Sequence, residues 1–147
     1  MYTKVMVKHI DKKHIVRGVE GGFIAGIAFG AMLGMTGHLE FISVMTHAPV
    51  VFLFIVHIIL SIVVGIFFSV TFGPYINTDA KGLLYGCYFG FILWTLSTLI
   101  TWFLFKNIVD LYGPSIFLPI LWGHLIFGFL LGIIYDVVVP DAEQIDK

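Results

Sequence analysis

The sequence predicts an all-α integral membrane protein, a four-helix bundle built from two helical hairpins related as parallel repeats. Three observations predict this fold class. The 147 residues are 59% hydrophobic and 12% charged, and the charged fraction is about half that of a typical soluble domain. Four apolar stretches are each long enough to cross a bilayer, which takes about 20 helical residues. The third observation is a correspondence between residues in the two halves of the chain.

The four predicted spans are placed by hydropathy and by the prolines and glycines near their ends. They cover about residues 18–37, 49–72, 81–105 and 115–139. We predict helices because an isolated strand would leave backbone groups without hydrogen bonds in lipid. Pro and Gly punctuate the span ends, as they do at helix starts and stops.

The basic residues predict the orientation of these spans. With four spans, the basic segment at residues 1–17, the loop at 73–81 and the acidic tail at 140–147 share one side of the membrane. Of the eight Lys and Arg residues, only Lys106 lies on the other side. Because positively charged loops stay in the cytoplasm, we expect a multi-pass protein of the cell inner (plasma) membrane with both termini cytoplasmic.

The two halves of the chain correspond at their small and ionisable residues. Arg17, Gly18, Gly22 and Gly26 match Lys81, Gly82, Gly86 and Gly90 at a constant offset of 64 residues. His57, Ser61, Gly65 and Ser69 match His124, Gly128, Gly132 and Asp136 at a constant offset of 67. Each unit is then a two-helix hairpin, and both hairpins start from the same side, as parallel repeats do.

Small residues predict where the helices pack closely. The first span carries a glycine every four residues, at Gly18, Gly22, Gly26, Gly30 and Gly34. A helix face without side chains lets another backbone approach closely. This face could serve packing inside the bundle or form a docking surface for another subunit, and the sequence leaves both open.

His57 and His124 are the candidate functional residues. Each lies about 10–14 Å from the outer end of its span, so the two imidazoles are expected at similar depth. Both head a stripe of small residues on their own helix face, which should direct them into helix interfaces. These helix-packing stripes are Ser61 with Gly65, and Gly128 with Gly132. Ionisable groups inside a membrane tend to mark a function or a polar partner.

Three interpretations of the histidine pair remain open. Both could be neutral and hydrogen-bond across helices. They could be axial ligands of a haem b, which needs two imidazoles on facing helices and small neighbours. They could also serve a metal site or a proton relay. A structural zinc ion wants four ligands, and the spans offer no further Cys or His nearby, so we assign no metal.

The remaining ionisable residues predict no catalytic site. A net charge of −1 argues against nucleic-acid binding, and no nucleophile–base pair or paired-carboxylate arrangement can be assembled. His14 is expected at the surface of the basic segment. His38, Glu40 and His47 are expected in a solvated outer loop, because their spacing matches no ligand signature.

From His57 onward the chain resembles the YagU-type family of small bacterial inner-membrane proteins. The resembling segments are His57-Ile58-Ile59-Leu60-Ser61-Ile62-Val63, Lys81-Gly82-Leu83-Leu84-Tyr85-Gly86 and Trp122-Gly123-His124-Leu125. The resemblance implies a multispan membrane protein with a role in acid tolerance, and it brings no catalytic residues.

The sequence therefore predicts a small membrane protein without enzymatic activity. We expect an accessory or scaffolding subunit of a larger membrane complex, or a homo-oligomer, with the lipid bilayer and other membrane subunits as its partners. One alternative is a haem-binding electron-transfer module held by His57 and His124. A second alternative is a small transporter or channel, although few polar residues are present to line a path.

Overall fold

The computed structural model describes residues 12–104, 106, 110, 113 and 117–137, and these contain helices and no strands. The helices are α1 (Lys12–Met35), α2 (His38–Thr46), α3 (Val50–Phe72), α4 (Asp79–Leu104) and α5 (Phe117–Val137), and a short 3₁₀ turn (Gly73–Tyr75) follows α3. Four of them, α1, α3, α4 and α5, are long and apolar enough to cross a membrane. The predicted all-α four-helix membrane bundle is confirmed.

Two elements differ from the sequence prediction. α1 (Lys12–Met35) includes residues of the segment that was expected to lie outside the span. Long lysine side chains can carry their charge to the interface while the backbone stays helical. The connection between α1 and α3 contains α2, where a loop was expected. We call the end of the bundle at this connection the outer end and the opposite end the inner end, after the predicted orientation. Gly37 with φ 74° precedes α2 and His47 with φ 55° follows it, and these two left-handed residues turn the chain at both ends.

α1 and α3 pack backbone against backbone. A Cβ atom placed on Gly18 would lie 2.6 Å from Ile66 Cα and 2.8 Å from the Gly65 carbonyl oxygen. A Cβ on Gly26 would lie 2.5 Å from Ser61 Cβ. Real Cβ atoms do not approach other atoms this closely, so only glycine permits this helix separation.

α4 and α5 pack in the same way. A Cβ placed on Gly82 would lie 2.7 Å from the Gly132 carbonyl oxygen, and one on Gly86 would lie 3.0 Å from Gly132 Cα. The contacts Gly18–Gly65 and Gly82–Gly132 join residues that correspond between the two halves of the sequence. The parallel repeat itself stays a prediction.

The two hairpins meet through side chains. Between α1 and α5, the buried core includes Ala25, Phe29, Phe127 and Leu131. α3 and α4 meet through aromatic rings near the inner side, where the centroids of Phe68 and Phe89 lie 5.3 Å apart. The bundle therefore consists of two tightly packed glycine-lined pairs joined by an apolar core.

Candidate functional site

The structure brings His57 and His124 to one cluster around Phe29, in the outer half of the bundle. Each histidine lies seven positions after the first residue of its helix, about 10 Å along the axis. Their ring centroids lie 5.3 Å and 5.2 Å from that of Phe29, both in edge-on geometry. We call these three residues the histidine–phenylalanine cluster.

Neither Phe29 nor its neighbour Gly123 was among the site residues predicted from the sequence. Phe29 is 7% exposed, and its ring occupies the space that a side chain at position 123 would need, since a Cβ there would lie 2.8 Å from Phe29 Cζ. The available signal was local: Phe29 precedes Gly30 on the glycine-rich helix, and Gly123 precedes His124. Neither signal says that the two positions face each other.

Backbone carbonyls determine the proton positions on both imidazoles. His57 Nε2 donates to the Gly26 carbonyl oxygen at 3.1 Å, and the more distant Ser61 Oγ lies 3.5 Å from the same nitrogen. His124 Nδ1 donates to the Ile120 carbonyl oxygen at 2.8 Å. Because a carbonyl oxygen only accepts, these nitrogens carry the protons in the neutral rings.

The other nitrogen of each ring keeps its lone pair. Within the part of the chain that the structure describes, His57 Nδ1 and His124 Nε2 have no hydrogen-bond partner. The surrounding helices are uncharged at this depth: α3 contains no Asp, Glu, Lys or Arg, and neither does α5 between Phe117 and Tyr135. The cluster thus presents two neutral imidazole lone pairs in apolar surroundings.

A cavity of about 240 Å³ lies at the outer end of the bundle, between the end of α1 and the start of α5. Its lining consists of Met32, Leu33, Thr36, His38, Pro119, Ile120 and Trp122. Ile120 is also the residue whose carbonyl accepts from His124. The cavity therefore lies next to the histidine–phenylalanine cluster.

A second polar cluster lies at the opposite, inner end of the bundle. His14 Nδ1 hydrogen-bonds to the Tyr135 hydroxyl, and Ser69 Oγ donates to the His14 carbonyl oxygen. The Arg17 guanidinium carbon lies 5.2 Å from the centroid of the Tyr135 ring, a cation–π distance. We call these four residues the inner polar cluster.

The prediction that His14 is a surface residue is wrong. α1 begins earlier than expected, so its first turns lie beside α5, where Tyr135 is only 2% exposed. His14 lies four residues before Gly18 and therefore shares a face with the glycine stripe, which is the signal that could have found it.

The other sequence-predicted residues are distributed between α2 and the helix interfaces. His38 and Glu40 lie on α2 and His47 follows it, so the expected solvated loop is a helix. Among the described residues, no group of three or more His, Cys, Asp or Glu could hold a metal ion. On α1, the glycines Gly18, Gly22, Gly26 and Gly30 face α3, while a Cβ at Gly34 would meet only Leu39 at 3.9 Å.

The fold defines this chain as a multi-pass membrane protein in contact with the lipid bilayer, because four of its helices can span a membrane. Comparisons with protein-family models, with curated proteins and with solved structures found no match. Membership of the YagU-type family therefore stays a prediction.

Proposed function

We propose that this protein acts without enzymatic activity of its own, by associating with other membrane helices. It would serve as an accessory or scaffolding subunit of a larger complex in the inner membrane, or as a homo-oligomer, with both termini cytoplasmic. The histidine–phenylalanine cluster and the inner polar cluster both lie inside the bundle. The helix surfaces that face away from the bundle are therefore the ones left for partners.

Tyr88 on α4 carries this proposal. Its side chain is 57% exposed, and its hydroxyl makes no hydrogen bond within the described residues. Tyr88 lies nine positions after Asp79, about 14 Å along a helix whose 26 residues extend about 39 Å. This depth lies within a hydrocarbon core of about 30 Å, where an unpaired hydroxyl is unfavourable.

The residues around Tyr88 form a continuous exposed face of α4. This docking face consists of Leu84, Tyr88, Phe91, Thr95 and Leu99. Successive members are three or four residues apart, which places them on one side of the helix, as in surfaces that pack against another helix. The docking face carries two hydroxyl groups. The Thr95 hydroxyl already donates to the Phe91 carbonyl oxygen. The Tyr88 hydroxyl is therefore the one that a hydrogen bond from a partner helix would satisfy.

Replacing Tyr88 with Phe is expected to weaken the association. The variant keeps the ring and removes one interhelical hydrogen bond, which is worth about 1 kcal/mol in a membrane, or about a fivefold lower association constant. Native mass analysis in mild detergent over a dilution series measures this change.

The matched control is Tyr75→Phe, the same chemical change at an exposed tyrosine outside the docking face, for which we expect no change in association. A strictly monomeric wild-type protein that carries no co-purifying partner contradicts the proposed function. An equal effect of both variants contradicts the assignment of the docking face.

We retain haem b ligation by His57 and His124 as the alternative function. Its support is the pair of imidazole lone pairs at similar depth, both in rings that contact Phe29. Small neighbours such as Gly123 favour a bound macrocycle, whereas the Phe29 ring would have to move aside. We expect any bis-histidine haem to give a Soret band in the absorption spectrum of the purified protein. A protein reconstituted with haem that shows no such band, or a band unchanged in His57→Ala/His124→Ala, contradicts this alternative.

A further inference from the structure

The strongest unexplained feature of the bundle is a set of imidazole nitrogens with free lone pairs in its outer half. His57 Nδ1 and His124 Nε2 belong to this set, because the opposite nitrogen of each ring donates to a backbone carbonyl. A backbone carbonyl that fixes the histidine tautomer in this way is a common support for metal-ligating imidazoles. The arrangement therefore holds both rings in the protonation state that a metal ion requires.

Met32 supplies a thioether near Phe29, the residue whose ring both imidazoles contact. It packs against the core cluster that contains Phe29, and its Cε lies 2.7 Å from where a Cβ on Gly123 would be, next in sequence to His124. A methionine in a core is more often a gap-filling side chain than a ligand. Here it lies near Phe29, whose ring is contacted by two imidazoles that each keep a free lone pair, so nitrogen and sulfur donors are found around the same ring.

The chemistry of these donors selects the kind of ion. Imidazole binds Zn, Cu, Fe and Ni, whereas thioether is a soft ligand that favours ions such as Cu(I). The helices around the cluster contain no carboxylate at this depth, so a divalent ion would leave two uncompensated charges in apolar surroundings. Because the solvation penalty rises with the square of the charge, a monovalent ion is far less costly to bury there.

We propose that His57, His124 and Met32 form a binding site for a monovalent soft cation of the Cu(I) or Ag(I) class. The tetrahedral four-ligand set of structural zinc is not met by these residues, whereas Cu(I) and Ag(I) are stable with two or three ligands. This proposal concerns the interior of the bundle and does not rest on the association proposed for α4.

The outer cavity offers a route to this site from the outer side. Met32 and His38 both line it. Thr36 Oγ1 donates its single proton to the Met32 carbonyl oxygen at 2.7 Å. In its 2.8 Å hydrogen bond with His38 Nδ1, Thr36 Oγ1 is therefore the acceptor and His38 Nδ1 is the donor. His38 Nε2 therefore also keeps its lone pair, at the wall of the cavity, as a first contact for an incoming cation.

Ag(I) binding to the full chain in lipid nanodiscs tests the site, with Cys87→Ala as the background because a free thiol would compete for the ion. We expect one Ag(I) per chain. In ¹⁵N-histidine NMR spectra of this histidine-intact protein, Ag(I) should shift the signals of His57 Nδ1 and His124 Nε2. The double variant His57→Gln/His124→Gln should lower the affinity by about 100-fold or more.

Matched variants separate the site from nonspecific binding. Met32→Leu should weaken Ag(I) binding, whereas Met35→Leu at a residue that is 82% exposed, and His47→Asn outside the cluster, should leave it unchanged. The proposal is overturned by the absence of stoichiometric binding, by equally tight binding of Zn(II), or by NMR shifts confined to other histidines. The NMR result decides the matter even where the double variant fails to fold.

Discussion

Replacing Gly86 with Ala is expected to destabilise the bundle by about 3 kcal/mol, the upper end for overpacked interiors. The added Cβ would lie 3.0 Å from Gly132 Cα and still closer to the Gly128 carbonyl. Both are backbone atoms of α5 and cannot rotate away, so the helices must separate along their contact. The free energy of unfolding, measured by titration from mild detergent into sodium dodecyl sulfate, reports this loss.

Gly34→Ala is the matched control for this experiment. A Cβ at position 34 meets only Leu39 Cδ1 at 3.9 Å, an ordinary van der Waals distance. Alanine is also the better helix former by about 1 kcal/mol, so this variant should be neutral or slightly stabilising. Equal destabilisation by Gly86→Ala and Gly34→Ala would contradict the packing described for α4 and α5.

Replacing Tyr135 with Ala is expected to cost about 3 kcal/mol of stability, as for other buried aromatic truncations. The ring is buried against Phe68 at a centroid distance of 6.2 Å and under the Arg17 guanidinium at 5.2 Å. Its hydroxyl also hydrogen-bonds to His14. Truncation therefore leaves a cavity and removes the polar contact between α1 and α5. Thermal unfolding in detergent or nanodiscs measures the loss.

Tyr135→Phe separates the packing of the ring from the hydrogen bond. It keeps the ring and removes only the hydroxyl, and we expect a loss of about 1 kcal/mol, the typical value for one hydrogen bond. Tyr88→Ala truncates an exposed tyrosine and should change the stability of the monomer little. If Tyr135→Ala is no more destabilising than Tyr88→Ala, the inner polar cluster does not hold α1 against α5.

The sequence predicted the site residues better than it predicted their neighbours. His57 and His124 were selected because an imidazole within an apolar span is conspicuous, and the small residues that follow each of them indicated an interface. Phe29 was not selected, because one phenylalanine among the 15 in this chain carries no distinguishing local signal. Its role depends on Gly123, more than 90 positions away in the sequence.

The position of His14 could not be predicted from its neighbours in the sequence either. Its local context is a run of basic residues, which is typical of a membrane surface. Its partner Tyr135 is 121 positions away, and only the packing of α1 against α5 brings the two together. α2 was also missed, since its nine residues are too few to form a span and lie between two stronger apolar segments.

By itself, the sequence determined that the chain forms four apolar helices, that glycines line particular faces, and that the two histidines lie at similar depth. These properties follow from hydropathy and helical periodicity, which act over a few neighbouring residues. Only the tertiary structure decided that the glycines of α1 face α3, that Phe29 contacts both imidazoles, and that the lone pairs of His57 Nδ1 and His124 Nε2 stay free. These features depend on which helix faces meet. In lipid, helices are held together by close packing and hydrogen bonds, so the pairing of the faces is decided by the packing of the whole bundle.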